Sequence, residues 1–213
     1  MSPLLPRPFP TSAFVVQWIH TKGAGALRAR HAFPARIEGG GFIKKTVIVI
    51  NGQGGVGKDT LCAFAGQRYR VDNISSITPI KEIAATFGWR GEKTPEARKF
   101  LSDLKRAFTD YNDLPTRYLT AEYRRFLASE DELLFVHIRE GSEIDKFKKA
   151  VDGDCVTLLI LRDLGRVSYG NASDDQVAQY PYDYRYWNNR PLAEAEEDFL
   201  TFLDGLLQKE GRI

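Results

Sequence analysis

The chain has 213 residues, 43% of them hydrophobic and 27% charged, with a net charge of +2. That size and balance suit one domain with a full core plus a tail, and they supply no field that would draw nucleic acid or a membrane surface. No apolar run approaches the roughly 20 residues of a membrane-spanning helix, and Cys62 and Cys155 stand apart from any CxxC or His/Cys cluster, so they read as buried thiols of a reducing cytoplasm.

Residues 1–44 do not read as part of the fold. The first 45 residues hold five of the ten prolines, no Asp and one Glu, and their one apolar patch, Ala13–Ile19, is short. The expectation is a disordered or wrongly assigned N-terminal extension. Glu38-Gly39-Gly40-Gly41 is what a purine-rich ribosome-binding stretch gives when translated. A targeting peptide and a functional arm are the alternatives: the segment is basic and poor in acids, but Ser is scarce. The domain is expected over residues 45–213.

Thr46–Asn51 is a continuous β-branched run, the signature of a central parallel strand buried on both faces. A Gly-rich loop follows, then a helix over about Asp59–Tyr69. Asn73–Ile77 predicts a second strand, and Pro79 the first turn of a helix reaching Phe87. Thr94-Pro95-Glu96 opens a further helix with a cap-and-proline start, and Phe100, Leu101, Leu104 and Phe108 follow at helical spacing. Pro115 starts another, to about Leu127. Glu132–Ile138 predicts the third strand, Ser142–Val151 a helix, and Cys155–Leu161 the fourth strand. Arg162–Gln179 is polar and reads as a loop or lid. Asp183–Trp187 is the fifth strand and Leu192–Gln208 the last helix. Strands alternating with helices imply an α/β fold: three layers, α/β/α, about a parallel sheet of about five strands, with a helical insertion between the second and third strands and a lid.

The spacing Gly52-x4-Gly57-Lys58 lies between a buried strand and a helix, where a phosphate loop must lie. Gly52, Gly54, Gly55 and Gly57, with Val56 between them, let the backbone curl so that its N–H groups converge on phosphate oxygens. The following helix N-terminus adds positive potential. Lys58 brings a point charge to the β- and γ-phosphates. Asp59 stands where Ser or Thr usually serves Mg²⁺, with Thr60 next. A carboxylate there can hold the metal directly or through water, and it is also an ordinary first-turn helix residue.

Gly57-Lys58-Asp59-Thr60 resembles the loop of one branch of P-loop kinases, the deoxynucleoside monophosphate kinases of phages and bacteria and the animal-type phosphomevalonate kinases. Ser75-Ser76-Ile77-Thr78-Pro79-Ile80-Lys81-Glu82 is similar to the second-strand motif of that branch. Val136-His137-Ile138-Arg139, with Glu143 four residues on, is similar to its third-strand segment, although His137 stands where the branch usually has Asp. Gly170–Asp175, Tyr180–Tyr184 and Asn188-Asn189 complete a match over roughly residues 46–207. The resemblance implies a P-loop NTPase fold of the adenylate kinase-like type, ATP and Mg²⁺, and a phosphorylated acceptor. It also implies that Lys81 holds the acceptor phosphate.

Elementary chemistry gives further candidates. Lys81 and Arg139 follow the second and third strands, on the sheet edge where ligands bind in parallel α/β folds. A guanidinium at Arg139 suits bidentate phosphate contact. Arg98, Lys99, Lys105 and Arg106 lie on the inserted helix, where an acceptor-binding segment would close. Of these, Arg98 is the acceptor candidate, and a solvated basic face is the plain alternative for each. Arg162 and Arg166 flank the start of the lid and could meet the charge that develops in transfer, Arg162 being the better placed. The expected activity is ATP-dependent phosphotransfer to a small phosphorylated acceptor, a (deoxy)nucleoside monophosphate first and phosphomevalonate second. Lys58, Arg139 and Arg162 would carry the chemistry, in a monomer or homodimer. The rivals are a switch ATPase, whose diagnostic lysine would fall at Gln53, and a nucleotide-binding regulator without catalysis.

Overall fold

The computed structural model describes residues 44–163, 165 and 177–213. The sheet holds β1 (Thr46–Asn51), β2 (Val71–Ser75), β3 (Leu133–His137), β4 (Val156–Leu161) and β5 (Tyr184–Trp187). All pairings are parallel, in the order β2-β3-β1-β4-β5. The α/β class and the five parallel strands read from the sequence are those the structure has. The helices are α1 (Lys58–Arg68), α2 (Thr78–Thr86), α3 (Pro95–Asn112), α4 (Leu114–Ala128), α5 (Gly141–Ala150) and α6 (Leu192–Lys209), with a short 3-10 turn at Val177–Gln179.

Two apolar layers enclose the sheet. On one face Leu61, Cys62 and Ala65 of α1 and Phe199, Leu203, Leu206 and Leu207 of α6 pack on Ile48, Ile50, Phe135 and Leu158. On the other, Leu119 and Phe126 of α4 and Ile144 and Phe147 of α5 cover Val47, Val49, Leu134 and Val136. Alternate residues of β1 and β3 therefore serve opposite layers, as the two-residue repeat of a strand dictates. A third cluster, Ile80, Ala84 and Leu101 with Trp89, Leu104 and Phe108 against it, binds α2 to the inserted α3.

Local chemistry explains the boundaries. The Thr94 hydroxyl accepts from the Ala97 N–H at 3.2 Å and Pro95 opens α3, as the cap-and-proline pattern predicts. Asp113, at φ 50, then breaks α3 from α4. The second strand lies two residues earlier than the apolar pattern placed it. Val71–Ser75 pair with Leu133–His137, while Ile77 already caps α2. The polar Asp72 hides this strand from a hydrophobicity reading: it is buried, one carboxylate oxygen accepts from the Asn73 N–H at 2.8 Å, and Arg125 reaches it at 3.5 Å.

This topology sets the place of the site. β1 and β3 are neighbours, but the helix after β1 packs on one face and the helix after β3 on the other. The chain thus parts at the carboxyl ends of β1 and β3, the crevice where doubly wound sheets take ligands.

Candidate active site

The loop from Gly52 to Gly57 leaves the buried end of β1 and enters α1. Gly52, Gly55 and Gly57 have φ of 150°, 85° and 92°, which a side chain would resist. Space forbids one as well. A Cβ on Gly52 would lie 2.5 Å from the Ile160 carbonyl oxygen, and one on Gly57 would lie 2.6 Å from Asn188 Nδ2. The backbone therefore runs tight against β4 and against the residue that follows β5. Lys58 reaches back across the loop, its ammonium donating to the carbonyls of Gly52 at 2.5 Å and Gln53 at 3.0 Å. Gly54 and Gly55 carry the bend, Val56 is buried, and Asp59 and Thr60 are exposed on the first turn of α1.

Two asparagines fasten this loop. Asn51, buried at the end of β1, accepts from the Gly52 N–H at 2.8 Å and donates through Nδ2 to the Arg139 carbonyl at 3.0 Å and the Tyr182 hydroxyl at 2.7 Å. Asn188, just past β5, donates to the Val56 carbonyl at 2.8 Å, and its own N–H donates to the Leu161 carbonyl at 2.8 Å. Asn189 accepts from the Asp163 N–H at 3.0 Å, closing the chain just after Arg162. Arg162 lies against the loop, its Nη1 3.9 Å from where a Gly57 Cβ would be.

His137 ends β3 opposite Ile50 of β1. Its Nε2 lies 3.9 Å from Cys62 Sγ, so the ring faces α1 beside the glycine loop. Burial holds the imidazole below its ordinary pKa, against a smaller opposing effect of Asp59. The same burial pushes the Cys62 thiol far up, and Cys155 to about 11. Both cysteines are free and buried.

The structure thus gathers Gly52–Lys58, Asp59, His137, Arg139 and Arg162 around the carboxyl ends of β1, β3 and β4. Lys81 is exposed on α2, past the edge strand β2, and Arg98 is exposed on the first turn of α3. Arg166, Gly170–Asp175 and most of the segment read as a lid lie outside the described residues, as do residues 1–43.

The four basic residues of the insertion divide. Lys99 and Arg106 pair with Asp103 on the exposed face, at 2.6 Å and 2.9 Å, which is the solvated arrangement. Lys105 instead turns inward. It bridges Glu140 at 2.6 Å and Glu143 at 2.7 Å, with the Lys105 and Glu143 side chains only 12% and 9% exposed. Glu143 thus joins α5 to α3 through Lys105. A cleft of about 280 Å³ opens here, lined by Ser102, Lys105, Glu140, Ser142 and Lys146 among others. A larger one, about 420 Å³, lies at the opposite end of the sheet, between the starts of β4 and β5.

Burial, and the hydrogen bond to Glu140, push the Glu143 carboxyl up to about 7. Burial would raise Glu140 too, but the hydrogen bond from Glu143 and the Lys105 charge hold it below the usual carboxylate range. One proton therefore sits on Glu143 at mild acidity. A carboxyl raised in the native state stabilises the fold below its unfolded pKa of about 4.5 and loses that contribution as pH rises through about 7. Glu143→Gln keeps the donated hydrogen bond without the ionisation. It is expected to gain stability over the natural protein as pH climbs from 5 to 8, by about 1–3 kcal/mol, read from urea unfolding at each pH.

No family model matches the chain, and no curated protein matches it. Solved structures similar to it include the tunicamycin resistance protein of Deinococcus radiodurans, at 13% identity and a TM-score of 0.48 over 75% of this chain and 96% of that one. They also include a gluconokinase of Sinorhizobium meliloti, at 16%, TM-score 0.41, over 79% and 97%. A shikimate kinase of Bacteroides thetaiotaomicron is similar at 17%, TM-score 0.43, over 76% and 98%. Identities this low say nothing of this chain's substrate.

Asn51 was not among the residues singled out from the sequence, and Lys105 was named there only as one of four basic residues on the insertion, not as a buried junction. Each had a signal. Asn51 is the one polar residue at the end of a β-branched strand, where a side chain must find partners. Lys105 occupies the apolar stripe of Leu101, Leu104 and Phe108.

Proposed function

We propose that the chain is an ATP-dependent phosphotransferase, a kinase acting on a small acceptor that already carries a phosphate, a (deoxy)nucleoside monophosphate before other phosphorylated metabolites. One observation carries this reading: a glycine loop with Lys58 folded across it stands at the sheet's crevice, with Arg139 at the end of the neighbouring strand and Arg162 against the loop. Phosphoryl transfer asks little covalent work of a protein. It needs donor and acceptor aligned and their charge matched.

In this reading the loop amides and Lys58 hold the triphosphate. Arg162, 3.9 Å from the Gly57 Cβ position, meets charge on the transferring group. Arg139 takes the acceptor phosphate with its planar fork, helped by Lys81 and Arg98 when the inserted helices close. Burial at His137 favours the uncharged imidazole, against the opposing effect of Asp59.

The protein groups suit magnesium. Among the described residues no group of three or more His, Cys, Asp or Glu could hold an ion by itself. Magnesium in triphosphate sites takes one or two carboxylates and fills its sphere with phosphate oxygens and water. Asp59, exposed beside Lys58, would be that carboxylate, and the ion would screen the β- and γ-oxygens. The Lys44 N–H donates to the Arg212 carbonyl at 2.9 Å, so residues 1–43, rather than 1–44, are proposed to lie outside this domain.

The test is a coupled ADP-release assay across nucleoside monophosphates and isoprenoid phosphates. Release that requires an acceptor is the expected result. Release without an acceptor supports a switch ATPase, and tight nucleotide binding without turnover supports a regulator.

A further inference from the structure

We propose that Asn51 is a positioning residue for phosphoryl transfer, locking the phosphate loop, the main chain of Arg139 and the segment entering β5 into one frame. The proposal rests on the kinase reading and deepens it. Asn51 closes a strand whose other five residues are Thr, Val and Ile, and it is 1% exposed. A carboxamide so placed must find its partners within the protein. Both N–H groups of Asn51 are used, on the Arg139 carbonyl at 3.0 Å and the Tyr182 hydroxyl at 2.7 Å, and its oxygen accepts from the Gly52 N–H at 2.8 Å. Only this amide orientation works. The reverse would set two oxygens together at Arg139 and two N–H groups together at Gly52.

Each partner matters to a different part of the site. Gly52 begins the phosphate loop, and its backbone already abuts Ile160 of β4, so Asn51 fixes its second side. The Arg139 carbonyl belongs to the residue whose guanidinium is proposed to hold the acceptor. Tyr182 lies beside Tyr180, ring centroids 5.1 Å apart and edge-on. The Tyr180 ring fills the space a Gly141 Cβ would occupy, 2.8 Å away, and its hydroxyl donates to Asp145 at 2.8 Å. The segment Tyr180–Tyr182 is therefore fastened to the first turns of α5, on the far flank of Arg139. Through one side chain, the donor loop and the acceptor arginine cannot drift independently.

The consequence is kinetic more than energetic. The Gly52 N–H is spent on Asn51, so removing Asn51 takes no ligand from the triphosphate. Misplacing the acceptor by about 1 Å, in contrast, costs about 10²-fold in rate. Asn51→Leu, of similar volume and uncharged, removes all three bonds. Tyr182→Phe removes one and leaves the loop contact intact.

The experiment measures acceptor-dependent turnover and ATP affinity by calorimetry for the full chain, Asn51→Leu, Tyr182→Phe, Arg139→Ala and each combination with Arg139→Ala. The expected result is a fall in turnover of about 10²-fold for Asn51→Leu and about 5-fold for Tyr182→Phe, with ATP affinity within about 3-fold of the natural protein. Neither change should lower turnover further once Arg139 is gone, because both act through it. If Asn51→Leu fails to fold, Tyr182→Phe carries the same test alone. Losses that add in full to that of Arg139→Ala, or that fall equally on ATP affinity, overturn the proposal and leave the kinase reading standing. If the natural protein transfers to no acceptor, the kinase reading fails and this proposal with it.

Discussion

Replacing Lys58 with Ala is expected to lower acceptor-dependent ADP release by about 10³-fold, the scale on which cationic clamps act on a transferring phosphoryl group. Lys58 is the first residue of α1, and its ammonium spans the concave side of the loop to the Gly52 and Gln53 carbonyls. A compact, mobile ammonium can leave those carbonyls for phosphate oxygens, and no other side chain of the loop carries positive charge. Lys58→Arg should recover little, because a broad fork does not fit a turn packed within van der Waals distance of Asn188 and Ile160. Thermal unfolding run alongside separates this from a folding defect, since the core layers do not use Lys58. Turnover of Lys58→Ala within 10-fold of the natural protein, a margin of about 1.4 kcal/mol, would contradict the assignment.

Arg139→Ala carries the second large effect. It should reduce kcat/KM for the phosphorylated acceptor by about 10²–10³-fold while calorimetric ATP affinity stays nearly constant, because the guanidinium is proposed to hold the acceptor and not the donor. Arg139 follows β3 by two residues and is exposed at the sheet's crevice. Arg139→Lys should restore only part of the loss, since one ammonium cannot replace two parallel N–H donors. An acceptor KM unchanged in Arg139→Ala, or a loss of ATP binding equal to the loss of turnover, would remove Arg139 from the acceptor site.

The sheet was legible because parallel strands buried on both faces write themselves as apolar runs. Thr46–Asn51 and Cys155–Leu161 stand out for that reason, and the structure keeps their bounds to within a residue. The edge strand β2 was displaced by two residues because it has one covered side and carries a buried Asp72, so its pattern fades. The glycine loop was legible because its pattern is local, with glycines, lysine and helix start in seven consecutive residues. What holds the loop was not. Asn51 meets a tyrosine 131 residues away, and Asn188 a carbonyl 132 residues away. A sequence shows that such residues are polar, but not what they meet. Lys105 makes the same point within a helix. Four basic residues in nine positions look alike, yet only the one on the apolar stripe turns inward to Glu140 and Glu143, while Lys99 and Arg106 stay in solvent. Helical periodicity decides which is which once Leu101 and Phe108 are known to face the core.

That inward lysine has a mechanical sense. It ties the insertion α3 to the first turn of α5, immediately after Arg139, so the two elements share one buried ionic junction. Asn51 and Tyr182 fasten the other flank of Arg139. The proposed acceptor arginine is thus braced from both sides while its own side chain remains exposed to meet a substrate.

The most direct measurement is calorimetric titration of the intact protein with ATP in magnesium. Saturable one-to-one binding, abolished or weakened at least about 10-fold by inorganic tripolyphosphate as competitor, is the result expected if the Gly52–Lys58 turn grips a polyphosphate. Absence of heat and of competition at millimolar nucleotide would contradict it.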